Sequence, residues 1–449
     1  MEAKERLRRA VPAVAIAALL AGALALAVGQ QSPARKATLE AEAVKILTEA
    51  PLVDGHNDVP EQLRDRVKDH LERLDLASDT STLDPPMHTD IPRLRKGHVG
   101  GQFWSVYVPT TLTGPAAVQF LFEQIDVVHR MAERYPETFA MAYNAADVER
   151  VFKSGRIACL IGMEGGHSIG NSLAVLRVAY ACGARYLTLT HWIDTDWADA
   201  ATDKARHGGL TKFGREVVRE MNRLGMLVDL SHVSDKTMLD ALEVSEASVI
   251  FSHSSARALC NHVRNVPDEI LRKVAAKGGI VMVNFAPGFV SEEGRVWDQR
   301  AFPEYDRLEA LYPTDPQKAK AEFAAWKAAH PAPRVTLAQV ADHIDHVRAV
   351  AGIDHVGLGS DFDGISRTPV GLEDVSKYPA LLAELLRRGY SADDVKKVAG
   401  GNILRVMREA EKAAERLRKT RLPSDALIEE LDVPAAVPEH AGQAGSSSR

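Results

Sequence analysis

Cysteine is scarce, with 3 in 449 residues, too few to staple a fold with disulfides. Positive charge is not in excess either: 55 Lys and Arg stand against 61 Asp and Glu, a net charge of −6. A duplex-binding protein would carry a basic excess or stripe, so nucleic acid is not an expected partner. Long apolar runs are missing apart from one near the N-terminus, which excludes a polytopic membrane protein. No Gly-x-Ser-x-Gly elbow, P-loop, Cys-x-x-Cys pattern or internal repeat occurs. The remainder, 45% hydrophobic and 26% charged, is ordinary for a soluble globular protein. What is plentiful is histidine: there are 16, several beside acids at the ends of apolar runs.

Lys4, Arg6, Arg8 and Arg9 precede an uncharged stretch over 10–29, with Ala25-Leu26-Ala27 and Ala27-Val28-Gly29 as small-x-small exits. Basic flank, apolar core and small-residue exit make residues 1–29 a signal peptide, while the same length also suits an uncleaved N-terminal anchor. The expected location is therefore exported, periplasmic or secreted, with any membrane contact made through that segment. In an oxidising compartment Cys159, Cys182 and Cys260 could include one disulfide, but their apolar settings fit buried thiols equally. Residues 433–449, rich in Pro, Ala, Gly and Ser, read as a flexible tail. The body is then 30–432, ending in a helical segment over 397–421 with an apolar stripe of Ile403, Leu404, Val406 and Met407.

Within the body, β-prone runs at 51–58, 101–109, 157–164, 184–191, 226–232, 248–253, 279–285 and 355–361 alternate with helix-patterned segments such as 210–224 and 235–242. The runs are apolar throughout rather than alternating, as expected of parallel strands covered on both faces. Eight such units predict an α/β fold, a (β/α)8 TIM-type barrel. A doubly wound sheet would show a Gly-rich phosphate loop after the first strand, where this chain has His56-Asn57-Asp58. A helical insertion over 291–334, carrying Trp297, Tyr305, Tyr312 and Trp326, precedes the last strand and is expected either to lid the barrel mouth or to sit on the surface.

Active sites of such barrels lie at the C-terminal ends of the strands. There the chain places His56-x-Asp58, Glu164, His191, His232, His253 and Asp361. Residues i and i+2 of a strand point the same way, so His56 and Asp58 can share one ion. Imidazole nitrogens and carboxylate oxygens are ordinary zinc ligands. The set His56, Asp58, Glu164, His232 and His253 exceeds one tetrahedral site and suits two ions about 3.5–4 Å apart, with Glu164 as the bridge. Such ions bring the pKa of a ligated water to about 7, leaving an acid such as Asp361 to shuttle the proton. His191 suits either an oxyanion contact or support of the ligands. Arg264, on the loop after the sixth run, suits either a carboxylate clamp or a surface salt bridge.

Seven motifs in one order carry a resemblance. They are 53–58 (VDGHND), 100–105 (GGQFWS), 164–167 (EGGH), 187–191 (LTLTH), 229–232 (DLSH), 252–257 (SHSSAR) and 359–364 (GSDFDG). Together the chain resembles the membrane (renal) dipeptidase family, zinc peptidases of the amidohydrolase-like barrel superfamily, from about residue 53 to 404. The resemblance implies a metallopeptidase with two Zn2+ ions, one held by His56, Asp58 and Glu164, the other by Glu164, His232 and His253. It implies that His191 contacts the substrate and stabilises the tetrahedral intermediate. Arg264 would bind the C-terminal carboxylate, and Asp361 would handle the proton and meet the free amino end. The implied substrate is a small dipeptide, L–D as well as L–L, with β-lactam rings as a second possibility, and family members often form homodimers. The C-terminus lacks the hydrophobic lipid-anchor signal of animal members. The residues alone leave two alternatives: another barrel amidohydrolase acting on a lactone, cyclic amide or phosphoester, or an extracytoplasmic metal-bearing peptide-binding protein.

Overall fold

The structure, a computed structural model, describes residues 33–432. The N-terminal stretch over 10–29 and the tail over 433–449 lie outside the described residues. Nine strands form one sheet: β1 (Leu52–Asn57), β2 (Val99–Tyr107), β3 (Phe139–Met141), β4 (Ile157–Glu164), β5 (Ala184–Thr188), β6 (Leu227–Asp229), β7 (Ile250–Phe251), β8 (Ile280–Val283) and β9 (Val356–Leu358). All pairings between them are parallel. Pairing of β1 with β9 and of β2 with β4 closes the sheet on itself, so eight of the nine strands form a (β/α)8 barrel. Each of the eight apolar runs supplies one barrel strand. The ninth, β3, pairs with Ile157–Cys159 at the start of β4 and stands outside the ring. With three residues, it is too short to leave a periodic signal.

Continuous apolar runs follow from burial on both faces. Val53, Phe103, Leu160, Leu227, Ile250 and Ile280 point into the barrel, where Ile403, Leu404 and Met407 of the helix Asn402–Arg418 pack against them. Their neighbours Leu52, Trp104, Ile161, Val228, Phe251 and Val281 join the larger core beneath the outer helices. The helix Lys212–Leu224 is typical of that outer layer. Thr211 caps it by accepting from the Gly214 N–H, Phe213, Val217, Met221 and Leu224 are buried along one face, and Gly225 ends it at φ 89.

The insertion is helical, as expected: Glu292–Leu311 and Pro316–Ala329 pair through Trp297 against Trp326 (5.8 Å) and Tyr305 against Phe323 (5.1 Å). Its base is tied to the loop after β7, because Asn261 N–H donates to Glu292 Oε2 at 3.1 Å and Phe289 packs on His262 at 4.4 Å. The three cysteines are free, two of them buried, so the buried-thiol reading holds and the disulfide does not. Among the described residues no helix is long and apolar enough to cross a membrane.

Candidate metal centre

The mouth of the barrel is where the loops after β1, β4, β5, β6, β7 and β9 meet. His56 lies in β1 and Glu164 is the last residue of β4. Sequence reasoning places His191, His232, His253 and Asp361 at strand ends, but β5, β6, β7 and β9 stop two or three residues earlier, at Thr188, Asp229, Phe251 and Leu358. For two of the four the reason is conformational. His232 and Asp361 sit at φ 69 and φ 66, in the left-handed region, which no ladder accommodates and which His and Asp tolerate better than most residues.

These residues converge on one carboxylate. Glu164 Oε2 lies 3.4 Å from His56 Nε2. Glu164 Oε1 lies 3.1 Å from His232 Nε2, 3.5 Å from His253 Nε2 and 3.6 Å from His191 Nε2. Asp58 Oδ1 is 3.4 Å from His56 Nε2, and the His232 and His253 Nε2 atoms are 3.0 Å apart. Three groups have ligand atoms within 4.8 Å of one another: His56, Glu164 and His253; Glu164, His191 and His232; and His56, Asp58 and Asp361. The grouping thus brings together the five expected ligands and draws in His191 and Asp361, which the sequence reading assigned to substrate and proton.

The hydrogen bonds behind the imidazoles set their tautomers. Tyr186 OH donates to Gly55 O (3.3 Å), so its contact with His56 Nδ1 (2.9 Å) is one in which the ring N–H donates. Ser252 Oγ donates to Asp229 Oδ2 (2.6 Å), so His253 Nδ1–H donates to Ser252 Oγ (2.8 Å). Both Nε2 lone pairs then face Glu164, crowded acceptors that only a cation or a proton reconciles. Burial, the Arg264 charge and neighbouring imidazoles hold His232 and His253 well below the ordinary imidazole range, so at those two rings a proton does not fill that role. Burial also disfavours the His56 cation, but Tyr186, Glu164 and Asp58 more than offset it, and its net shift is upward. Burial opposes Glu164 ionisation, yet His56, His191 and His232 bring its carboxyl well below the usual range. Asp58 Oδ2 and the Nδ1 atoms of His191 and His232 are buried without a partner. By donor type, convergence and unsatisfied atoms, the residues fit metal ions.

Around this cluster stand the remaining expected residues. Arg264 is 1% exposed, donates to Ser254 Oγ (3.3 Å) and stacks over Phe289 at 5.3 Å. That burial excludes a surface salt bridge. Desolvation brings its guanidinium down to about 10, so it remains charged at neutral pH. Asp361 accepts from Asn284 Nδ2 at 2.8 Å, and burial pushes its carboxyl up to about 7. His191 is pushed down to about 4, chiefly by burial. Gly364 lies so close that a Cβ there would stand 2.2 Å from Asp58 Oδ2 and 2.7 Å from Asp361 Oδ1. Residues that sequence reasoning passed over are Ser105, donating to Glu164 Oε2 at 3.0 Å, Tyr107, whose ring is 4.7 Å from that of His191, and Trp192, 5.2 Å from His232. Ser105 lies within the Gly-Gly-Gln-Phe-Trp-Ser motif and Trp192 directly follows His191, so adjacency was their only signal.

Residues 40–421 match the membrane dipeptidase family, peptidase family M19. The chain belongs to this family. Among solved structures, a metallo peptidase from Rhodobacter sphaeroides liganded with a phosphinate mimic of the dipeptide L-Ala-D-Ala is 26% identical, with TM-score 0.66 over 80% of this chain and 99% of that one. The dipeptidase AC, a metallo peptidase of family M19, is 26% identical with TM-score 0.65 over 80% and 98%. The probable dipeptidase PvdM from Pseudomonas aeruginosa, 24% identical with TM-score 0.69 over 84% and 99%, shares the fold. This membrane dipeptidase family chain is a metallopeptidase.

Proposed function

We propose that the chain is a dinuclear zinc dipeptidase that hydrolyses the single peptide bond of short dipeptides with free ends, L–D as well as L–L. The observation that carries this reading is the convergence of four imidazole Nε2 atoms on the two oxygens of Glu164. His56, Asp58 and Glu164 would hold one ion, and Glu164, His232 and His253 the other. Zinc bound there would supply Lewis acidity and make hydroxide available near neutral pH. The L–D part of the reading is supported by the Rhodobacter sphaeroides relative, which was liganded with a mimic of L-Ala-D-Ala.

The chain's own residues then orient a zwitterion. The buried Arg264 guanidinium grips the substrate carboxylate, with two donors in a fixed fork. Asp361, whose carboxylate lies within 4.8 Å of the His56 and Asp58 ligand atoms, receives the free ammonium. Neutral His191, with an unpartnered Nδ1, has an N–H to offer the developing oxyanion. Asp361, held near 7 and fixed by Asn284, takes up a proton and passes it to the leaving amine. Export through residues 1–29, a barrel unit over 30–432 and assembly as a homodimer belong to the same proposal.

A panel of L–L, L–D, N-acetylated and C-amidated dipeptides tests it, using zinc-loaded protein with Glu164→Ala as control. Cleavage of only the unblocked dipeptides, lost in the control, is the expected result. Absence of turnover by the folded, zinc-loaded chain would overturn the reading.

A further inference from the structure

A line of carboxylates leads out of the metal centre along one helix. The helix Val59–Val67 begins at Asp58, and Glu61 and Asp65 follow at i+3 and i+7, on the same face. Burial falls along the line: Asp58 is 3% exposed, Glu61 is partly buried and Asp65 is exposed. Asp58 at the N-cap makes no side-chain cap bond. Its own N–H donates to Phe362 O, so Glu61, at N3, does not close a capping box. Among the described residues the Glu61 carboxylate has no hydrogen-bond or ion-pair partner, although it lies within electrostatic reach of Asp58, Asp65, Glu164 and Asp361.

The cations of the same helix are turned elsewhere. Arg64 pairs with Asp69 and Glu123, and Arg66 donates to Gln62 Oε1 and Pro85 O. Tyr107 lies within electrostatic reach of Glu61 and its ring is 4.7 Å from that of His191, while Trp192, 45% exposed, lies 5.3 Å from His191. An acid without a partner is thus set outward of Asp58 along the helix, near an aromatic rim. In a dipeptide whose free ammonium is held at Asp361, the group that extends past that ammonium is the side chain of the first residue.

We infer that Glu61 is a specificity-determining residue that selects dipeptides whose first residue carries a cationic side chain, lysine or arginine. The inference rests on the dipeptidase reading above.

The test compares kcat/KM for Lys-Ala and norleucine-Ala, which share a straight four-carbon side chain and differ by the terminal ammonium. The zinc-loaded full chain should prefer Lys-Ala by about tenfold, the effect of one partly buried ion pair. Glu61→Gln should reduce that ratio to about one to two, and Glu61→Lys should reverse it in favour of Glu-Ala. A ratio near one in the unaltered enzyme, or the same ratio in Glu61→Gln, overturns the inference. Titration calorimetry of the zinc-loaded protein with lysinamide and norleucinamide reads the same preference without turnover. Failure of all dipeptides to be cleaved therefore counts against the dipeptidase reading, while loss of the Glu61-dependent binding preference counts against this one.

Discussion

The two oxygens of Glu164 serve different partners, Oε2 facing His56 and Ser105, and Oε1 facing His191, His232 and His253. Moving a residue in that position by about 0.5 Å would disturb both sides. The same tolerance governs Gly364, where the close approach of two carboxylates excludes any side chain. Gly364→Ala is expected to displace Asp58 and Asp361, lowering kcat/KM by about 100-fold, while overpacking costs only about 1–3 kcal/mol of stability. Steady-state kinetics beside urea unfolding checks this, and a kcat/KM within twofold of the unaltered enzyme would show that the carboxylates are not held as described.

At the scale of elements, two buried aspartates pin the strand ends on which the site stands. Asp54 in β1 accepts from Ser360 N (2.8 Å), Ser360 Oγ (2.7 Å), Gln102 Nε2 (3.0 Å) and Tyr378 OH (2.9 Å), joining β1 to β2 and the loop after β9. Asp229 accepts from Thr188 Oγ1 (2.5 Å), Ser231 N (3.1 Å), Ser252 N (2.8 Å) and Ser252 Oγ (2.6 Å), joining β5, β6 and β7. Asp229→Ala leaves four buried donors unpaired and is expected to cost about 3–5 kcal/mol in urea unfolding. Because Ser252 fixes the His253 tautomer, zinc affinity should also fall by about 10–100-fold in a competition titration. Unchanged affinity would separate the pin from the site.

His343 ties another element to the site. Its Nδ1 accepts from Ala256 N (3.0 Å) and its Nε2–H donates to Val290 O (2.9 Å), which joins the helix Leu337–Ala351 to the Arg264 loop and to the base of the insertion. Burial, with His346 nearby, pushes it down to about 4. The folded pKa is depressed, so the stabilisation is present in full above about pH 6.5 and is lost as pH falls toward 4. Between pH 7 and pH 4.5 that loss is about 2–3 kcal/mol. His343→Asn, which cannot gain that charge, should show a correspondingly shallower acid dependence of unfolding free energy. An identical pH dependence would contradict the assignment.

For the whole molecule, the barrel was legible because each of its eight strands is an apolar run covered on both faces, ending beside a His or an acid at six positions. β3 was not legible, since three residues on the outside of β4 bear no pattern. The positions of His56, Asp58, Glu164, His232 and His253 at one mouth followed from the barrel order, whereas the tautomers set by Tyr186 and Ser252 did not. Those contacts link residues 130 apart in sequence in the first case, and depend on a third residue, Asp229, in the second. The outward carboxylate of Glu61 was hidden for a different reason. An acid in the first turn of a helix is ordinary and drew no attention, and the bond from the Asp58 N–H to Phe362 O, which leaves Glu61 without a capping role, joins residues far apart in sequence.

The central claim is that one carboxylate organises two metal ions for peptide hydrolysis. Zinc titration of the metal-free chain, with bound metal and dipeptide turnover followed in the same samples, tests it most directly. The account predicts two zinc ions per chain, activity that saturates as the second binds, and loss of both ions' tight binding in Glu164→Ala. Saturation of activity at one ion per chain, or full zinc binding and turnover in Glu164→Ala, would contradict it.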